Sequence, residues 1–177
     1  MTVAADLAKS IRAIPDFPKP GIMFRDVTTL IKDGKAFRKA VDAFYAKYKD
    51  IKFDKIVAVE SRGFLFGAAL AYKMGAGVVL VRKKGKLPCT TVSVSYKLEY
   101  GTDTLEIHKD AIAPGERVLI IDDLLATGGT VAAVIKLVKK LGGRIAAIAF
   151  LVELVDLKGR SKLGTYPVCS LVKFRGE

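Results

Sequence analysis

Histidine, cysteine and tryptophan are nearly missing from this chain, which has one His, two Cys and no Trp in 177 residues. With His108 alone, a histidine-based catalytic triad or a multi-histidine metal centre has too few groups, and a solvent-facing role is expected for that side chain. Cys89 and Cys169 stand far apart and in no metal-ligand spacing, so they are expected as free thiols. Long apolar runs are missing too. The longest, Gly63 to Ala71 and Ile145 to Val152, fall well short of the roughly 20 residues needed to cross a bilayer. At the start, Val3, Leu7, Ile11 and Ile14 share one helical face with Asp6 among them, unlike the basic head and apolar block of a secretion signal. The expectation is a cytoplasmic protein with no membrane partner.

Acidic residues are in short supply: 18 Asp plus Glu face 30 Lys plus Arg, for a formal charge of +12. Such an excess raises the question of nucleic acid. Most of it is scattered, however, and its one dense cluster is Arg82, Lys83, Lys84 and Lys86 around Gly85. A short basic loop with a glycine suits a small polyanion better than a duplex, and no helix-turn-helix or other reader module is recognisable. Apolar and charged contents of 51% and 27% are those of a chain that folds, and 177 residues fit one domain with a single sizeable core.

Punctuation and periodicity order the elements. After the first helix, Pro15, Pro18, Pro20 and Gly21 break the chain into a structured loop ending at Phe24-Arg25-Asp26. From Ala36 to Tyr48, Phe37, Val41, Phe44, Tyr45 and Tyr48 recur at helical spacing and form a core stripe. Lys55 to Val59 reads as a buried strand, Gly63 to Met74 as a helix closed by Gly75, and Val78 to Arg82 as the next strand. A second such unit runs from strand Arg117–Ile121 through helix Thr130–Leu141 to strand Ile145–Val152, and the last strand is Val168–Phe174. This alternation predicts an α/β fold with a central, mainly parallel sheet flanked by helices. Between the units, Thr91 to Ser95 and Thr104 to His108 alternate apolar and polar residues, as a two-stranded antiparallel excursion does.

The run from Val118 to Thr130 carries the chemistry. Four apolar residues lead to Asp122 and Asp123, and Thr127-Gly128-Gly129-Thr130 then opens a helix. In open parallel sheets ligands bind beyond the carboxyl ends of the strands, where this run lies. Unpaired N–H groups and the positive end of the helix can hold a phosphate monoester, and the glycines let the backbone approach it. Two carboxylates beside a phosphate repel it unless a hydrogen-bond donor lies between, and ribose hydroxyls are such donors. The pattern reads as a ribose 5-phosphate cradle formed by Asp122, Asp123, Ala126, Thr127, Gly128, Gly129 and Thr130. It is neither a P-loop nor a dinucleotide fingerprint.

This run closely resembles the signature of the type I phosphoribosyltransferases, which bind 5-phosphoribosyl-1-pyrophosphate (PRPP). Four more segments look like the adenine-using branch of that family: Pro18 to Asp26, Glu60 to Phe64, Arg82 to Pro88 and Tyr96 to Gly101. Together the motifs extend the resemblance over nearly the whole chain, with Glu60 standing where many members carry Asp.

The resemblance implies a type I phosphoribosyltransferase fold as one domain, 1–177, with an N-terminal hood at approximately 15–35 and a flexible antiparallel lid at approximately 84–104. It implies purine salvage, adenine and PRPP giving AMP and pyrophosphate. Pyrophosphate falls to Glu60, Ser61 and Arg62, with Arg82, Lys83 and Lys86 contributed in part by the partner of a homodimer. Adenine falls to stacking on Phe24 and to the backbone at Arg25, and the acid/base role to Glu99, beside Asp122 and Asp123 as catalytic groups. Magnesium is expected, held mainly by PRPP and water rather than by a protein cage. Alternatives are another purine, such as hypoxanthine or xanthine, and a PRPP-sensing regulator. Nucleic acid is not expected as a partner.

Overall fold

A computed structural model describes residues 2–97 and 101–176. Helix α1, Val3–Lys9, starts at Thr2, whose hydroxyl accepts the Ala5 N–H, and stops at Ser10. The helical face expected to run on to Ile14 therefore ends early, and Arg12–Ile14 is a strand, β1, paired antiparallel with β2, Phe24–Asp26. Two forces override the periodicity. Ile14 precedes Pro15, which disfavours helical backbone there, and Arg12 reaches back to Asp26. The Pro-rich stretch read as loop thus contains half of a two-stranded ribbon.

Helices α2, Thr28–Lys32, and α3, Gly34–Tyr48, follow. Asp33 caps α3, accepting the N–H groups of Lys35 and Ala36. Then come β3, Lys55–Val59; α4, Gly63–Met74; β4, Gly77–Lys83; β5, Thr91–Lys97; and β6, Thr102–His108. The chain continues with β7, Arg117–Leu125; α5, Gly129–Lys140; β8, Arg144–Leu154; two 3₁₀ turns at 155–162; and β9, Val168–Phe174.

Seven strands form one sheet in the order β5-β6-β4-β3-β7-β8-β9. The five from β4 to β9 run parallel, and β6 and β5 add the antiparallel pair. Successive residues of the parallel strands serve opposite layers, which is why these strands are apolar on both faces. Ile56, Ala58, Leu119 and Ile121 face the layer of α1, α3 and α4, where Phe44, Phe66 and Leu70 are fully buried. Val57, Val59, Ile120 and Phe150 face α5 through Val131, Val134, Leu137 and Val138. From β3 the chain winds outward to β4, and from β7 it winds the other way to β8 and β9. The reversal falls between β3 and β7, so the crevice at their carboxyl ends is the topological switch point.

Candidate active site

Both sides of that crevice come from the segments the sequence singles out. At the end of β3 lie Glu60, Ser61 and Arg62, with a cis peptide between Glu60 and Ser61. β7 supplies Asp122 and Asp123, followed by Ala126 and the Thr127-Gly128-Gly129-Thr130 turn into α5. The strand reads as ending at Ile121, yet its ladder with β8 continues past both acids to Leu125. The acids are consequently fixed by sheet hydrogen bonds instead of hanging from a loop.

Asp122 and Asp123 are 7% exposed each, and the Asp123 N–H donates to Asp122 Oδ1 at 2.8 Å. Burial pushes the Asp122 carboxyl well above the usual range, and the neighbouring Asp123 charge pushes the same way. Arg62 Nε donates to Asp123 Oδ2 at 2.5 Å. Burial disfavours the Arg62 charge, but Asp123 and then Asp122 outweigh it and the net shift is upward. Gly63 is required for this closeness: a Cβ there would stand 2.8 Å from Asp122 Oδ1.

At the head of α5, Gly128 adopts a left-handed φ of 78° and offers no side-chain cap. The first-turn N–H groups thus point toward a cavity of about 190 Å³ lined by Arg62, Asp123 and residues 124–131. A second cavity of about 530 Å³ adjoins it, sharing Arg62, Leu124, Ala126, Thr127, Gly129 and Thr130. Its other walls are apolar or aromatic: Ile22, Met23, Phe24, Tyr96, Leu154 and Leu157, with Arg25 at the margin. Phe24 is steadied by Phe17, edge to face at 5.1 Å, while the Arg25 guanidinium lies over the Phe174 ring at 4.1 Å. An open groove of about 1070 Å³ along α3 is larger but is lined mainly by charged surface groups such as Lys35, Arg38 and Asp42.

The basic cluster is organised differently from its sequence reading. Glu60 accepts from Lys86 Nζ at 2.5 Å, Arg82 Nε at 3.3 Å and the Lys83 N–H at 2.9 Å. Burial alone would raise the Glu60 carboxyl, but these donors together hold it below the usual range. Lys83 Nζ pairs with Asp103 at 3.1 Å, which raises its pKa, and the Gly85 N–H donates to buried Glu106 at 2.9 Å. Arg82, Lys83 and Lys86 line neither site cavity of their own chain. The structure therefore brings together Phe24, Arg25, Arg62, Asp123 and the 126–130 turn, and leaves the basic turn beside them on Glu60. Glu99 lies outside the described residues.

Six wall residues were given no role from the sequence: Ile22, Met23, Tyr96, Leu124, Leu154 and Leu157. Tyr96 accepts from Thr130 Oγ1 at 3.4 Å and so joins β5 to the phosphate turn. Leu154 and Leu157 follow an apolar strand, and nothing in their own pattern separates them from core. The single His108 is partly exposed on β6, with a ring nitrogen 2.6 Å from the Pro88 carbonyl, and both cysteines are free. No helix among the described residues is long and apolar enough to cross a membrane.

Comparison with known proteins agrees with this geometry. A family model described as "Phosphoribosyl transferase domain" matches residues 27–167. A Clostridium acetobutylicum adenine phosphoribosyltransferase is 61% identical over 96% of this chain and 98% of its own length. The crystal structure of the Thermoanaerobacter pseudethanolicus adenine phosphoribosyltransferase superposes with a TM-score of 0.93 at 55% identity, covering 98% of this chain and 100% of that one. The Saccharomyces cerevisiae enzyme, solved with an imino-altritol bisphosphate and adenine, gives 0.90 at 43% identity over 96% and 98% of the two chains.

Proposed function

This chain belongs to the phosphoribosyl transferase domain family, and we propose from that premise that it transfers the 5-phosphoribosyl group of PRPP to adenine, giving AMP and pyrophosphate. The observation that carries the reading is the pair of joined cavities at the switch point. One has a helix N-terminus, Arg62 and Asp123 in its lining, and the other is larger and mostly apolar, with Phe24 in its wall.

In this reading the 5-phosphate accepts from the N–H groups of the 126–130 turn, and the ribose hydroxyls donate to Asp122 and Asp123. Arg62 and the Glu60–Ser61 turn hold pyrophosphate, with Glu60 shaping the basic turn. A ring nitrogen of adenine attacks the anomeric carbon as the bond to the pyrophosphate oxygen breaks. The electron pair leaves with pyrophosphate, and basic groups stabilise that charge as it develops. Glu99 takes the proton released by the purine, a role that rests on the family resemblance. Among the described residues no group of three or more His, Cys, Asp or Glu could form a metal cage. A magnesium ion held by PRPP and water, with no ligand required directly from the protein, would neutralise pyrophosphate charge when bound.

A homodimer completes the site. Leu65 and Tyr72 on α4 are exposed, Tyr72 by 91%, as are Val78 and Leu80 on β4. Val78 and Leu80 register with Ile56 and Ala58 on the α4 side of the sheet, and β4 leads straight into the basic turn. Covering this apolar face with a second copy suits delivery of Arg82, Lys83 or Lys86 to the partner's crevice.

Base choice tests the reading. Backbone groups at Arg25 would face the purine edge, an N–H toward the first ring nitrogen and a C=O toward the six-amino group. Hypoxanthine reverses both polarities, leaving two groups unpaired at about 1–3 kcal/mol each. Catalytic efficiency with adenine should exceed that with hypoxanthine by a factor on the order of 10² to 10⁴. Hypoxanthine used within about tenfold of adenine would overturn the hood assignment, and absence of AMP formation would overturn the whole reading.

A further inference from the structure

The end of β8 and the segment that follows it line the larger cavity and underlie the turn that walls the smaller one. Leu154 and Leu157 form part of the larger cavity's wall, and two residues later Gly159 lies buried beneath the phosphate turn. Here two backbones meet with no side chain between them. A Cβ on Gly159 would stand 2.1 Å from the Ala126 carbonyl oxygen and 2.9 Å from Leu125 Cδ1, and one on Gly128 would stand 2.4 Å from the Gly159 carbonyl oxygen. The position of the turn is therefore set by how deeply Gly159 sits.

Arg160, the next residue, fixes that depth. Its guanidinium donates to both Glu153 oxygens, Nε to Oε1 at 2.6 Å and a terminal nitrogen to Oε2 at 2.7 Å. It also donates to the Val168 carbonyl at 3.1 Å and to Ser170 Oγ at 3.2 Å. Glu153 belongs to β8 with its side chain 6% exposed, and Val168 and Ser170 belong to β9, so the fork ties the segment to two strands of the sheet. A planar bidentate pair of this kind holds orientation as well as distance.

We propose that Gly159, braced by the Glu153–Arg160 pair, is a positioning residue for the phosphate-binding turn. The inference rests on the function proposed above. Gly159 does not have a positive φ, so Gly159→Ala adds a methyl group against Ala126 without left-handed backbone strain. Gly34, where a Cβ meets nothing within 4 Å, supplies the control Gly34→Ala.

Two readouts are needed, steady-state kinetics and calorimetric titration of ribose 5-phosphate, which reports on the turn without turnover. Gly159→Ala should raise KM for PRPP and weaken ribose 5-phosphate by about tenfold or more, with KM for adenine moving less than about threefold, while Gly34→Ala behaves as wild type. Arg160→Gln should shift PRPP in the same direction and Arg160→Lys should recover part of it; this pair decides the matter if Gly159→Ala does not fold. A folded Gly159→Ala protein with wild-type ribose 5-phosphate affinity, or Arg160→Gln with wild-type KM for PRPP, overturns the brace alone. Wild-type protein that binds no ribose 5-phosphate overturns the brace and the proposed function together, whereas binding without AMP formation overturns the reaction and leaves the brace to be judged on affinity.

Discussion

Asp122 is held where its charge is costly, buried in the sheet beside a second carboxylate. Its raised pKa fixes the sign of a stability effect. Below the unfolded carboxyl value, about 3.9, both states are protonated and the folded protein bears no penalty. As pH rises from there through the elevated folded value, the native state must give up its proton in a poor environment and stability is lost. Asp122→Asn keeps the shape and an oxygen for the Asp123 N–H but cannot ionise. The variant should melt higher than wild type at pH 8, by about 2–4 °C per kcal/mol relieved, with the gap closing toward pH about 3. PRPP should bind more weakly by about 1–3 kcal/mol, because a donor now stands where a ribose hydroxyl needs an acceptor. Thermal melts across pH and calorimetry check both halves, and a variant that melts lower at pH 8 while binding PRPP normally would contradict the assignment.

Among the elements, the β1–β2 ribbon hangs on one carboxylate. Asp26 accepts from Thr28 Oγ1 at 2.6 Å, the Thr28 N–H at 2.9 Å and Arg12 at 2.5 Å, and the Thr28 hydroxyl, followed by Arg12, lowers its pKa to about 2. Arg12 is 57% exposed, so water screens most of its share and the Thr28 bonds dominate. A depressed carboxyl gives stability that is present above about pH 4 and is lost as pH falls toward the folded value. Asp26→Ala should cost about 1–2 kcal/mol at pH 7, and the gap to wild type should narrow between pH about 4 and 2. Because Phe24 and Arg25 share the ribbon, KM for adenine should rise while ribose 5-phosphate affinity holds. Denaturant melts at both pH values test this, and a gap independent of pH would show that Asp26 acts by packing alone.

For the whole molecule, the decisive property is that one chain's basic turn lines neither of its own site cavities. If the turn serves the partner, a chain with Asp122 and Asp123 changed to Asn and a chain with Arg82, Lys83 and Lys86 changed to Ala should each be inactive but complement one another. Random mixing makes half the dimers mixed, each with one intact site, so activity should return to about a quarter of wild type. No recovery in mixed dimers verified by mass would place the whole pyrophosphate site within one chain. The same chain-wide view bears on the lid: β5 and β6 pair from Thr91 to His108, and the Lys140 ammonium donates to the Ser93 carbonyl, so these strands form part of the sheet.

What the sequence determined by itself was local and contiguous. Lys55–Val59, Gly63–Met74 and Val168–Phe174 carry their own apolar runs and stops, and the acid pair, glycine turn and helix start follow one another within a dozen residues. Chemistry compressed into one run is legible because neighbours in sequence are neighbours in space. The tertiary structure decided what depends on distant partners. Arg12–Ile14 became strand because Phe24–Asp26 lies alongside it, and β7 ran past its acids because β8 continued the ladder to Glu153. Glu60 joined the basic turn across more than twenty residues. Tyr96, Leu154, Leu157 and Gly159 reached the site only through sheet order and the fold of the 154–160 segment. A leucine in a wall and a leucine in a core have the same side chain, and a glycine under a carbonyl has none, so only the packed fold assigns their roles.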